Sequence, residues 1–462
     1  MKYFKRKITG AFAFAAALGL GTAPAHAQEV PDSSYSTTEN AGTVANQNQP
    51  PTTTEIAQDN DLVAHYPRRI SYDTMPPPPR RLDDYERNLT LPECQIPDDP
   101  IYRKMEDVVR YMQYPNQTPD ITSPNMTETQ IIQAQRFLQT LGFNIEDDGV
   151  EGPATTRAVM EFQMFWGPIS NTMDINGIID NNVIDHMEYY TAVAERDART
   201  YGVETEVAAA IRMATLLKQD SFELWMEMSL RESSHRPDAR PPRGTARGLF
   251  QHIERTYDKD IMIAGCNYGM GQYAQKFSIT YNGIDDAEIV YSGSEREHRF
   301  LYNTRYNPRF SAVMAVENNL FEVGLVEHWL GQSLQENYQR YSIHFKGVDA
   351  GYFFWRGYFN NPNATAARDF PAQARYNRRI YYNGRQARTY SQVADWFDAH
   401  FGTGRYTEQY QVAVYQPRYN TSNIRYAGQV EQPAAETTVT TSAPEQPAEP
   451  NYRQNNLNSP GV

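Results

Sequence analysis

Apolar positions recur at helical spacing through the middle of this chain and fade toward both ends. Ile131, Ala134, Leu138 and Leu141 share one helical face. Thr127-Glu128-Thr129-Gln130, just ahead of them, has the form of a capping box, and Gly142 marks the helix end. A turn rich in acid and glycine, Glu146 to Gly152, leads to Pro153 at a helix start; Ala158, Val159, Phe162 and Trp166 then form a second stripe. A third short helix from about Val183 would close a bundle. Upstream, Met105, Val108, Val109 and Met112 predict a short amphipathic helix leading into it. Further on, Trp225, Met228 and Glu232 lie at i, i+3 and i+7 and so share a face. The pattern predicts a mainly α protein.

The ends read differently. Residues 28 to about 60 are rich in Ser, Thr, Asn, Gln and Pro and have too few apolar positions to offset the entropy of ordering, so a tether is expected. The tail from about 428 has the same character, and Pro76 to Pro79 mark a stiff extended stretch. At the start, Lys2, Lys5, Arg6 and Lys7 precede an apolar run from Ile8 to about Gly21, followed by the small-x-small site Ala25-His26-Ala27. That run falls short of the roughly 20 apolar residues of a membrane span. A secretory signal cleaved near Ala27 is therefore expected, with the mature protein in the periplasm and no membrane span. The expected organisation is a signal peptide at 1–27, a disordered or extended linker at 28–100, a helical domain with its leading helix at 101–190, an α-rich second domain at 191–405, and a low-complexity tail at 406–462.

Charge narrows the partners. The chain has 43 basic and 56 acidic residues, and without the four basic residues of the leader the net charge moves from −13 to −17. Nucleic acid and anionic membrane surfaces suit such a chain poorly; a weakly charged polysaccharide suits it better. Cys94 and Cys266 could bridge in an exported compartment or could be two separate buried thiols, and their spacing alone does not decide. No metal-ligand spacing or phosphate-cradling loop is present, so neither metal nor cofactor is expected.

Several local motifs carry a resemblance. Gln135-Arg136-Phe137-Leu138, Leu141-Gly142-Phe143, Asp148-Gly149-Val150-Glu151-Gly152-Pro153-Ala154-Thr155 and Glu161-Phe162-Gln163 resemble the three-helix peptidoglycan-binding domain over about 127–190, and Asp174 to Asp180 resembles its second glycine turn. Without the family, Asp148 and Gly149 are a turn, and the acidic cluster could be a solvated loop or a weak calcium site; the turn is favoured, since the alternating ligand spacing of a calcium loop is missing.

The helical face that holds Glu232 is the richest in chemistry. A carboxyl beside Trp225 and Met228 faces the core side, where desolvation favours its protonated form, the condition for a general acid. The other reading of the same geometry is a helix-end glutamate paired at the surface with Arg231 or Arg236. The sequence from Glu232-Ser233-Ser234-His235-Arg236-Pro237-Asp238-Ala239 through Gly248-Leu249-Phe250-Gln251 resembles the lytic transglycosylase signature. Stretches after Asn307, Tyr341 and Asn361 extend that resemblance over most of 195–400. It implies an α-rich lysozyme-like catalytic domain, Glu232 as the single acid/base, and Ser233 and Gln251 as glycan contacts. Where many relatives carry Ala-Tyr-Asn-x-Gly, this chain has Tyr341-Ser342-Ile343-His344-Phe345, which leaves Tyr341 or His344 as a substitute contact.

The reaction so implied cleaves the bond between N-acetylmuramic acid and N-acetylglucosamine without water and leaves a 1,6-anhydro end. A muramidase-type hydrolase would need a second carboxylate, for which Asp238, Glu254 and Glu317 are candidates. A non-catalytic wall-binding scaffold is the third reading. Six arginines (Arg231, Arg236, Arg240, Arg243, Arg247 and Arg255) could attract peptide-stem carboxylates or simply be solvated. The partner expected is peptidoglycan glycan, the chain a monomer, and cell-envelope assembly machinery remains open.

Overall fold

The computed structural model describes residues 75–401 except 95, 97, 171–172, 243 and 282–286. The leader, the tether as far as residue 74, the tail from 406 and Arg243 lie outside the described residues. The described chain is mainly α, as its periodicity predicts. Its helices run α1 (Asp84–Arg87), α2 (Pro100–Gln113), α3 (Glu128–Thr140), α4 (Pro153–Ser170), α5 (Asn181–Tyr201), α6 (Thr205–Lys218), α7 (Phe222–Ser233), α8 (Glu254–Ala264) and α9 (Gly271–Ala274). An antiparallel hairpin, β1 (Phe277–Tyr281) and β2 (Ala287–Tyr291), pairs Phe277 with Tyr291. Then come α10 (Glu295–Thr304), α11 (Pro308–Leu330), α12 (Asn337–Lys346), α13 (Val348–Asn360) and the short α14 (Ala366–Asp369), α15 (Pro371–Tyr376) and α16 (Arg378–Tyr381). A small hairpin, β3 (Tyr382–Asn383) and β4 (Gln386–Ala387), precedes α17 (Tyr390–Phe401).

The helix starts follow local chemistry. Thr127 and Gln130 form the reciprocal capping box at α3, Asp180 accepts from Val183 N at α5, and Asn307 caps α11 ahead of Pro308. Two glutamines then hold the bundle's turns in matching ways. Gln135 Oε1 accepts from Gly149 N (2.9 Å) while its amide donates to Val150 O (3.0 Å). Gln163 Oε1 accepts from Gly177 N (2.8 Å) while its amide donates to Ile178 O (3.2 Å). Both glycines have positive φ, 75° and 74°, which a side chain would strain.

α11 is buried on nearly every side and therefore central, with Phe310, Val313, Met314, Phe321 and Val326 all buried. α6, α8, α12 and α13 pack around it. One continuous core runs from the bundle into these helices. α5 passes without a break through residue 190, where the domain boundary was expected. Arg309 of α11 reaches back to Glu161 of α4 (Nε to Oε1, 2.9 Å), with both side chains under a tenth exposed.

From residue 75 the stretch expected to be an extended linker is instead held against the helices. Tyr85 and Leu89 are buried, Tyr85 meets Trp329 edge-on (5.7 Å), and Trp329 Nε1 donates to Pro76 O (2.8 Å). Cys94 and Cys266 form a disulfide, Cα atoms 5.8 Å apart, that ties this stretch to the turn after α8.

Candidate functional site

α7 is built to hold one face inward. Ser221 caps it by accepting from Leu224 N, and Trp225 and Met228 are fully buried. The helix closes on two non-glycine residues in the left-handed region, Ser234 (φ 55°) and His235 (φ 61°). That conformation costs on the order of 1–2 kcal/mol per residue. Local bonds offset it: His235 N donates to Ser229 O (3.2 Å), and His235 Nδ1 lies 2.7 Å from Ser229 Oγ.

Glu232 lies two residues before this closure. Its side chain is 7% exposed, and its Oε1 is 3.7 Å from His344 Nε2 on α12. α12 is fastened across α7 at the far end, where Arg340 Nη2 donates to Asp220 Oδ2 (2.6 Å) and Trp225 Nε1 to the same oxygen (2.8 Å). Arg340 and His344, one turn apart on α12, thus meet the two ends of α7. Tyr341 is buried beside them; desolvation and then the nearby Glu232 charge hold its hydroxyl well above the usual tyrosine range. The structure therefore brings Glu232, Tyr341 and His344 together.

The other two residues singled out by the motif serve the loop. Ser233 Oγ donates to Ser229 O (3.1 Å) and accepts from Arg236 N (3.1 Å). Gln251, left-handed at φ 50°, donates from Nε2 to Gly248 O (2.8 Å) and Ala239 O (3.3 Å). Gly248 must be glycine, because a Cβ there would lie 1.8 Å from Arg305 O. Arg305 Nη1 in turn donates to Thr245 O and His252 O, fixing the loop from both sides.

Two further members of the cluster carry no motif. Glu227, one turn before Arg231, accepts from Arg231 Nε (2.8 Å) and is nearly covered, while its Oε2 is buried without a hydrogen bond. The i, i+4 spacing of Glu227 and Arg231 was the available signal. Phe401, from the end of α17, stacks on Tyr341 (centroids 3.4 Å apart), and the Arg231 guanidinium lies 5.3 Å from the Phe401 ring centre. Nothing local in the sequence announces that contact. Arg231 thus pairs with Glu227, and Arg236 Nε donates to Ser233 O (3.3 Å). Of the other carboxylates, Glu317 pairs with Lys218 and accepts from Tyr268 (2.8 Å), and Asp238 is exposed.

α12 ends on a buried lysine. Lys346 Nζ donates to Tyr381 OH (2.6 Å) among the rings of Phe354, Phe370, Tyr381 and Phe397. Burial pushes its ammonium down to about 7, against which the ring faces favour the charged form. Among the described residues one concavity lies between Asn383 and Trp396 and another around Phe353, Arg356 and Asp369; neither of these includes Glu232. Among the described residues no group of His, Cys, Asp and Glu is placed to hold a metal.

Residues 127–187, spanning α3, α4 and the start of α5, match the family model described as putative peptidoglycan binding domain. Peptidoglycan is the supported partner of this chain. The match makes it a cell-wall-associated protein and stops short of α7. No curated protein matches the chain. Among the described residues no helix is long and apolar enough to cross a membrane.

Proposed function

We propose that this chain is an exported, periplasmic peptidoglycan lytic transglycosylase with Glu232 as its acid/base. The observation that carries the reading is the covered carboxyl of Glu232 at a left-handed helix closure, 3.7 Å from His344. In this reading Glu232 protonates the oxygen leaving N-acetylmuramic acid, and the sugar's own acetamido group stabilises the cationic centre. Glu232 then takes the proton from the C6 hydroxyl, and O6 closes onto C1 to leave a 1,6-anhydro end. His344 and the Tyr341 hydroxyl frame the carboxyl from α12. Ser233 and Gln251 act by shaping the loop, since Ser233 Oγ and Gln251 Nε2 are engaged with backbone.

Because Glu232 is covered, a sugar reaches it only by displacing part of the cover. The Phe401 end of α17, which closes over Tyr341, is the part proposed to give way. A muramidase-type hydrolase is the second reading, favoured by one observation: Glu227 supplies another buried carboxylate with an unpaired oxygen on the same helix. The test is loss of turbidity of purified sacculi by the mature protein. Glu232→Gln is expected to lower the rate by roughly 10²–10⁴-fold, the usual worth of a positioned general acid. A variant that melts like the native protein and still clears sacculi at the native rate would remove Glu232 from the reaction.

A further inference from the structure

We infer that the groove between the β3–β4 hairpin and α17 is a second saccharide-binding site, taking an N-acetylhexosamine segment of the glycan strand. It rests on the wall association of the chain and not on the chemistry assigned to Glu232. The groove encloses about 300 Å³ and is lined by Asn383, Gln386, Arg388, Gln392, Asp395 and Trp396. That volume is at the small end of ligand clefts, which run roughly 300–1,000 Å³, and suits a sugar ring or two rather than a folded partner.

The lining has the chemistry of a neutral polyol site. Three carboxamides can each donate to and accept from hydroxyl and acetamido groups, and the lining holds one guanidinium and one carboxylate, so the groove carries no formal net charge. A half-buried tryptophan adds an apolar surface for the C–H face of a pyranose.

The platform is rigid where it needs to be. One face of Trp396 is backed by His400 (centroids 4.0 Å apart, 22° between planes), and His400 Nδ1 is held by Trp396 O at 2.6 Å. Phe397 supports the indole edge-on. Gln392 Oε1 accepts from Thr389 N (3.1 Å), and Arg388 Nη1 donates to Ile380 O (3.4 Å), so each side chain has one bond to the backbone. A two-residue turn at Gly384 (φ 61°) presents Asn383 and Gln386 as cross-strand partners. The same helix ends in Phe401, which stacks on Tyr341. A strand seated in the groove would therefore lie along the helix whose last residue stacks on Tyr341.

The test resolves individual tryptophans. The chain has five, and Trp225, Trp329 and Trp355 donate their indole N–H groups to Asp220, Pro76 and Ser342 within the fold. Their indole N–H resonances in the mature protein serve as internal references, and Trp396→Phe assigns the fifth while keeping an aromatic ring against His400. Titration uses triacetylchitotriose, which lacks the muramic acid that the proposed reaction needs. The Trp396 resonance is expected to move with millimolar saccharide, and Asn383→Ala/Gln386→Ala, both exposed hairpin positions, is expected to weaken that response by about tenfold. A Trp396 resonance that stays fixed, or one that moves equally in the double variant, overturns the site. A resonance that answers a stem peptide and not the saccharide overturns the ligand class. Loss of wall cleavage in Glu232→Gln bears on neither result.

Discussion

Replacing Arg309 by methionine tests whether the wall-binding bundle and the helices after it share one core. The guanidinium donates to Glu161 Oε1 (2.9 Å) and to Leu141 O and Gly142 O (3.2 and 3.4 Å), and it lies 3.9 Å from the centre of the Phe143 ring. Without it, the Glu161 carboxylate is left buried with the Asn307 amide (3.2 Å). Removing one partner of a buried ion pair costs about 3–5 kcal/mol, and the two carbonyls that lose a donor place this case at the upper end. With about 2 °C lost per kcal/mol, the low end for large units, calorimetry of the mature chain should record a fall in Tm of about 8–10 °C. The double variant Arg309→Met/Glu161→Leu, which removes both charges, should regain most of that loss. A fall under about 2 °C would refute the reasoning, because a buried carboxylate stripped of its cation cannot be that cheap. So would an Arg309→Met calorimetric trace in which the bundle melts apart while the rest keeps its native Tm.

Three other expectations follow from the same structure. Burial pushes the Asp258 carboxyl up to about 7, so between about pH 4 and 7 the folded chain holds a proton that the unfolded chain has released, and stability falls as pH rises through that window. Asp258→Asn should flatten this slope; a Tm difference between native and variant that is the same at pH 5 and pH 8 would contradict it. Reducing Cys94–Cys266 should lower stability by about 5 kcal/mol on the chain-entropy account, read as an earlier denaturant midpoint, and an unchanged midpoint would contradict it. Phe401→Ala should open the approach to Glu232 and raise the rate of sacculus clearance several-fold; a native rate from a folded variant would take Phe401 out of the cover.

Local chemistry was legible in the sequence, and long-range packing was not. The Thr127 capping box, the Pro153 helix start and the inward face of Trp225 and Met228 depend on residues within a few turns, and the structure has them all. The anchoring of Tyr85 on Trp329 and the continuity of α5 through residue 190 depend on distant partners that no local pattern names. The Cys94–Cys266 bond was open for the same reason: spacing does not reveal which chain segments meet. Phe401 reaches Tyr341 from sixty residues away, and only the packing of α12 on α17 reveals the contact. Ser233 and Gln251 show a different limit, since a motif identifies positions while the folded backbone decides whether a polar group faces a ligand or a carbonyl.

Whether Glu232 cleaves the glycan strand without water is read from mass spectrometry of the muropeptides that the mature protein releases from sacculi. Ends one water lighter than hydrolysis would leave, 1,6-anhydro-muramic acid throughout, are expected from the native protein and should be lost in Glu232→Gln. Reducing ends from the native protein, or anhydro ends undiminished in the variant, would contradict that expectation.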